Sequence, residues 1–285
     1  TMRYLLANTS DFDPQTDAIA VDDLQPVDRH MLYQLNEFTK SVRAHYDHYD
    51  FLNIYKELIN FVVSDLSAFY LDFAKDILYI EAADSPVRRS MQTVFYQIAV
   101  SLTKLITPIL PHTAEEIWDF LKEPEDFVQL AEMPAVLELT DANEQPDDGH
   151  QSAWDHFMTL RSHVLKALEE ARDAKLIGKA AEAHLDLYVD EETKHLLDQL
   201  NVNVQQILLV SGLDVASLDQ APADALTFDH LAVKVTPAAG EVGDRCRLTK
   251  EDVGSDSAYP HFCARCAAIV RQNFPETATE GFDEN

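Results

Sequence analysis

Three cysteines carry the most specific chemistry in this 285-residue chain: Cys246, Cys263 and Cys266. Their spacing, C-x16-C-x2-C, is that of a soft-ligand metal knuckle, which normally uses four thiolate or imidazole donors in a tetrahedron. The second knuckle, Cys263-Ala264-Arg265-Cys266, is intact. The first would need a cysteine at position 243, where Gly243 stands. Asp244 and His261 are the candidate substitutes for the missing ligand. Three thiolates bind a Zn2+ ion less tightly than four. Two readings stay open: one Zn2+ on an incomplete site, or a site that has lost its metal and kept its fold and thiols. A redox role for the C-x2-C pair lacks the strand-then-helix context that such chemistry uses.

Basic residues are the second chemical signal. The chain carries 22 Lys and Arg against 50 Asp and Glu, a net charge of −28, so its average surface repels phosphate. Local reversals therefore stand out. Arg161, Lys166, Arg172, Lys175 and Lys179 face only three acids between positions 161 and 179. Arg161, Arg172, Lys175 and Lys179 are the first candidates for a nucleic-acid face, and Arg88, Arg89 and Lys104 the second. His45 and His48, with Asp47 and Asp50 nearby, read as a solvated helix end. There is no glycine-rich phosphate loop and no Gly-x-Ser-x-Gly elbow, and no catalytic residue is assigned.

The elements that position these groups are mainly helical. Asp28 should cap a helix whose stripe is Met31, Leu32, Leu35, Phe38 and Val42. Asp50 should cap the next, with Phe51, Ile54, Tyr55, Leu58, Phe61, Val62, Leu66, Phe69, Tyr70 and Phe73 on its apolar face. Ser85-Pro86 opens a third, on which Met91, Val94, Phe95, Ile98, Leu102, Leu105 and Ile106 recur at helical steps. Pro108 and Pro111 break it. Thr113 with Glu116 reads as a capping box that restarts a helix carrying Ile117, Trp118, Phe120 and Leu121. Short connections make these four an antiparallel bundle. Phe127, Val128 and Leu130 read as a short extended piece, and residues 138–150 as an acidic linker or loop.

Beyond the bundle the pattern becomes α+β. A helix opens near Ser152 with Trp154, Phe157, Val164, Leu165 and Leu168 inward, and Gly178 reads as its stop. Leu185, Leu187 and Val189 alternate as a strand does, and so do Leu231, Val233 and Val235. Thr193 to Leu200 reads as a short helix and Ile207 to Val210 as a buried strand. No apolar run approaches the ~20 residues of a membrane span, and the first residues do not form a signal peptide.

Several of these stretches carry a resemblance. A long helix, the corner Pro108-Ile109-Leu110-Pro111 and then Thr-Ala-Glu-Glu-Ile-Trp at 113–118 resemble the anticodon-binding helical domain of class I aminoacyl-tRNA synthetases, with the isoleucyl and valyl enzymes as nearest relatives. RYLLANTSDFDP at 3–14, DRHMLYQLNEF at 28–38, FYLDFAKDILY at 69–79 and EARDAKLIGKAAEAHLDL at 170–187 are similar to the same family. GDRCRLTKEDVG with HFCARC resembles the isoleucyl enzymes' C-terminal double knuckle, one ligand short. The valyl enzymes usually end in a coiled coil, and no long heptad pattern is present here.

The resemblance implies a mainly α protein: a bundle followed by a small α+β module with a degenerate zinc knuckle. It implies the end of a catalytic domain or connector at 1–27, the bundle at 28–134, an acidic linker at 135–150, a helix with a small α+β domain at 151–240, and the knuckle module with its tail at 241–285. It implies tRNA(Ile) as partner in a monomeric, cytoplasmic protein without membrane contact. ATP and Mg2+ belong to a catalytic domain whose His-Ile-Gly-His and Lys-Met-Ser-Lys-Ser signatures are not in this chain, so these residues alone should bind tRNA and catalyse nothing. The rival expectation is a free-standing helical protein-interaction module with a zinc-ribbon-like tail.

Overall fold

The computed structural model describes residues 1–137 and 148–274, with side chains from 153 onward in the second stretch. The chain forms two compact units, Thr1–Pro146 and Asp147–Asn285. Most of the expected acidic linker and the last residues of the expected tail lie outside the described residues.

The first unit is a helical bundle. Helix α1 spans Met2–Asn8, α2 Pro26–Asp47, α3 Phe51–Asn60, α4 Leu71–Leu78, α5 Pro86–Ile106 and α6 Pro111–Trp118. The long α5 is the central rod, packed against α1, α2, α4 and α6. Most of its residues from Ser90 to Leu105 are buried, among them Met91, Val94, Phe95, Ile98, Leu102 and Leu105, while Gln97 is exposed.

Proline at the first helical position sets three of the helix starts by fixing φ and needing no N–H partner, and it moves two of them from where they were expected. Pro26 opens α2, so Asp28 sits inside the first turn and not at the cap. Pro86 opens α5 with Ser85 at the N-cap, as expected, although the Ser85 hydroxyl makes no capping bond. Pro111 opens α6 where a break was expected, so Thr113 and Glu116 lie within the helix and form no capping box. The helix also ends at Trp118, which leaves Phe120 71% exposed. Val128 to Leu130 form a 3-10 turn, not an extended piece: Val128 is buried and Leu130 exposed. Asp50 does cap α3, accepting from the Asn53 amide at 3.3 Å.

The stripe expected from Phe51 to Phe73 is interrupted. Residues Phe61–Tyr70, between α3 and α4, are wound wider as a π-helix, with the Ser67 hydroxyl donating to the Val62 carbonyl. A wider turn changes which residues share a face. Phe61, Leu66, Phe69, Tyr70 and Phe73 are buried, whereas Phe51 and Tyr55 face outward.

Displaced from the cap, Asp28 is fully buried and ties three segments together. It accepts from the Tyr70 hydroxyl and from the Ser90 hydroxyl, each at 2.6 Å. Ser90 Oγ in turn accepts from the Gln25 amide at 2.9 Å. Burial outweighs both hydrogen bonds and pushes the carboxyl up to about 6.

The second unit places a long helix on a small sheet. Helix α7 spans Asp148–Asp173, strand β1 Ala183–Val189, helix α8 Glu191–Leu200, helix α9 Val204–Leu208, β2 Gly212–Ser217, β3 Leu226–Phe228 and β4 Leu231–Pro237. The sheet order is β2-β1-β4-β3, with β1 and β2 parallel and the other pairs antiparallel. Ala183, Leu185, Leu187 and Val189 alternate into a core shared with Val164 and Leu168 of α7. Leu165, expected inward, is 38% exposed.

The run expected as a strand at 207–210 is instead the end of α9. Asn203 caps that helix, accepting from the Gln206 amide, and Leu209 closes it in the left-handed region at φ 55°. An apolar run of four cannot by itself separate a strand from a buried helix end. Helix α7 likewise stops earlier than Gly178: Lys175 takes the left-handed position at φ 59°, and the Leu176 amide reaches back to the Ala171 carbonyl at 2.9 Å.

Because folding favours protonated Asp28, its contribution to stability is full below the ordinary carboxyl value of 3.8 and is lost as pH rises through about 6. Asp28→Asn should therefore gain about 2 kcal/mol on the wild type between pH 4 and pH 7, read from urea unfolding at both pH values. A difference between the two chains that does not change with pH would disprove this.

Candidate functional site

The knuckle is built by a short hairpin and a helix start. Strands β5, Glu241–Val242, and β6, Thr249–Lys250, pair antiparallel, and the turn between them carries Cys246. The turn is closed by the Gly243 amide donating to the Leu248 carbonyl at 2.9 Å and by Arg247 in the left-handed region at φ 62°. Cys263 is the N-cap of helix α10, Ala264–Asn273, and Cys266 lies in its first turn. Asp252 accepts from the Ala264 amide at 3.0 Å, which holds the loop 251–262 to that helix start.

These pieces bring the three sulfurs within 4.8 Å of one another, with Cys246 and Cys263 3.7 Å apart. Zn–S bonds of ~2.3 Å in a tetrahedron give sulfur–sulfur edges of about 3.8 Å, so the donor set fits such a centre. Cys263 and Cys266 are buried, and all three are free thiols. The hydrogen bond from Cys266 holds the Cys246 thiol well below its usual range and raises Cys266 itself, the asymmetry of thiols sharing a proton.

The fourth position is occupied by glycine. A Cβ at Gly243 would sit 3.2 Å from Cys246 Sγ, so the residue that lacks a side chain is the one facing the sulfurs. Neither Asp244 nor His261 contributes an atom to the group. The Asp244 carboxylate turns to Arg247 at 3.7 Å, and its amide binds the His261 carbonyl at 3.0 Å. Sequence reasoning also missed Ser211, which fastens the hairpin to the sheet. Its hydroxyl accepts from the Thr249 amide at 2.8 Å and donates to the Ala181 carbonyl at 2.6 Å. These partners lie 30 and 38 positions away, and no local pattern marks them.

The seven basic candidates separate into two classes. Arg88, Arg89, Lys104 and Arg161 are used internally or buried. Arg88 donates to the Leu78 and Ala83 carbonyls and to Asp11 at 2.7 Å. Burial raises the Asp11 carboxyl, but hydrogen bonds from Arg88 and Gln92 more than offset it and leave the group below its ordinary value. Arg89 donates to the Asp11 carbonyl and to Gln92. Lys104 lies 3.7 Å from Glu123 and over the Trp118 ring. Arg161 is 7% exposed. Arg172, Lys175 and Lys179 are exposed at the end of α7 and in the turn after it, with Arg172 paired to Glu169 and Lys179 3.8 Å from Glu182.

The family model for the anticodon-binding domain of tRNA ligase matches residues 28–188. The chain belongs to that family. A second model, the zinc finger found in FPG and IleRS, matches residues 244–269 of this anticodon-binding-domain protein. Its relatives include the isoleucine–tRNA ligase of Levilactobacillus brevis, 99% identical over 285 residues and covered for 30% of its length. Those of Lactiplantibacillus plantarum and Pediococcus pentosaceus are 62% and 60% identical, with 99% and 100% of this chain aligned. The chain thus spans about 30% of the length of the curated relatives it matches. No helix among the described residues is long and apolar enough to cross a membrane.

The two classes of basic residue should respond differently to truncation. Arg88→Ala removes several hydrogen bonds from a largely buried guanidinium and should cost about 2 kcal/mol in urea unfolding. Arg172→Ala, on an exposed helix end, should stay within about 0.5 kcal/mol of wild type. Equal effects would refute the division.

Proposed function

We propose that this chain is the tRNA-recognising portion of an isoleucine–tRNA ligase and binds tRNA(Ile) through its anticodon region. The observation that carries this reading is the anticodon-binding-domain match over 28–188. The names of the 60–99% identical relatives favour isoleucine over valine as the amino acid of the parent reaction. In this reading the parent joins isoleucine to its tRNA with ATP and Mg2+, in the cytoplasm and as a monomer. That chemistry belongs to the part of the relatives that this chain does not span.

Residues 1–27 then connect to the catalytic portion, 28–134 form the recognition bundle, 135–150 a linker, 151–240 a supporting α+β domain and 241–285 the knuckle module. Single-stranded loops are read by stacking and base-edge hydrogen bonds more than by bulk charge. This suits a chain whose net charge is −28. Arg172, Lys175 and Lys179 would supply the phosphate contacts.

Cys246, Cys263 and Cys266 would hold one Zn2+ ion, which when bound would cross-link the hairpin turn to the start of α10. The family match at 244–269 and the sulfur separations support that reading.

Titration with tRNA(Ile) should give tighter binding than titration with the same tRNA carrying an altered anticodon. Equal affinities would overturn the assignment. Replacing Arg172, Lys175 and Lys179 together by alanine should flatten the salt dependence of log K by about 2, since each lost phosphate contact on a single strand removes about 0.7. Gly243→Cys should raise zinc affinity at least tenfold in competition with a chelator, because it adds a fourth thiolate beside Cys246. An unchanged affinity would show that the sulfurs are not metal ligands.

A further inference from the structure

The geometry points to a second metal-ion site, for a divalent first-row cation, on the solvent face of the sheet at His184, Asp186 and Asp214. Strand β1 turns Leu185 and Leu187 into the core, so His184 and Asp186 share the opposite face. The parallel register sets Asp214 of β2 directly beside Asp186, and Gly212 beside His184. His184 Nε2 lies 3.0 Å from Asp214 Oδ2 and 3.5 Å from Asp186 Oδ1, and the three donor atoms lie within 4.8 Å of one another. Metal bonds of about 2.1 Å place neighbouring donors about 3.0 Å apart in an octahedron and 3.4 Å in a tetrahedron. The hydrogen-bonded His184–Asp214 contact already has the octahedral length, and the His184–Asp186 contact is longer.

Two features of the surroundings favour a cation from solution. A Cβ on Gly212 would sit 2.1 Å from His184 Nδ1, so the imidazole fills space that only glycine leaves free. Lys234, opposite Asp186 on β4, is the nearest natural counter-ion, yet its ammonium binds both oxygens of Asp224 at 2.9 and 3.0 Å. Among the described residues no lysine or arginine lies within ion-pair distance of Asp186 or Asp214, and the Lys234 charge acts on Asp186 only through space. One imidazole and two carboxylates, with no sulfur, suit Mn2+ better than the three thiols do. The bound ion bridges the parallel strands β1 and β2 on the face away from the core.

The test is a titration of the chain with Mn2+, followed by paramagnetic broadening of the His184 ring signals and by thermal unfolding. One equivalent should broaden those signals before other histidines and raise the unfolding midpoint, as binding to the folded state requires. Asp214→Asn, at a position 75% exposed, should keep the fold and weaken the site at least tenfold. Cys263→Ser should leave Mn2+ binding unchanged. Uniform broadening of all exposed histidines, or equal affinity in wild type and Asp214→Asn, would overturn the proposal.

Discussion

The first unit is organised around one fully buried carboxyl group. Asp28 on α2 takes one hydroxyl hydrogen bond from Tyr70, in the π-helical segment, and one from Ser90 on α5. A buried acid needs its lone pairs satisfied, and only one arrangement of the three segments supplies both donors. Tyr70 also meets Phe73 and Phe95 edge-on, so the polar tie sits inside an aromatic cluster. Burial raises the carboxyl toward neutral pH, which makes the tie costly when ionised; its value lies in fixing register more than in net stability.

The basic candidates divide according to where their charge is spent. Arg88, Arg89 and Lys104 neutralise acids inside their own unit, around Asp11, Asp17 and Glu123. Of the seven candidates, the exposed ones are Arg172, Lys175 and Lys179, at the end of α7 and in the turn after it. A surface of this kind holds nucleic acid poorly in general and leaves discrimination to local contacts.

The knuckle holds its three sulfurs together with glycine at position 243. Hairpin turn, α10 start and intervening loop are held by backbone hydrogen bonds and by the Tyr259–Phe262 stack, under which Ala267 and Val270 are buried. Asp256 pairs with Arg271 and is held below its ordinary value chiefly by that hydrogen bond. A scaffold with its own small core keeps its sulfurs together with fewer than four of them, and this is why the three cysteines converge.

Sequence alone determined the helical class, the proline-framed corner, the alternation of β1 and β4 and the three thiols, because each is a local pattern of period, spacing or residue type. It also carried the family resemblance. Only the tertiary structure decided that Asp28 is a buried tie and not a cap, that the widened turn sends Phe51 and Tyr55 outward, and that 207–210 ends a helix. It likewise decided which arginines are consumed internally, and that neither Asp244 nor His261 joins the sulfurs. Those outcomes depend on which partners arrive from tens of residues away, and burial and hydrogen bonding among them override local propensity.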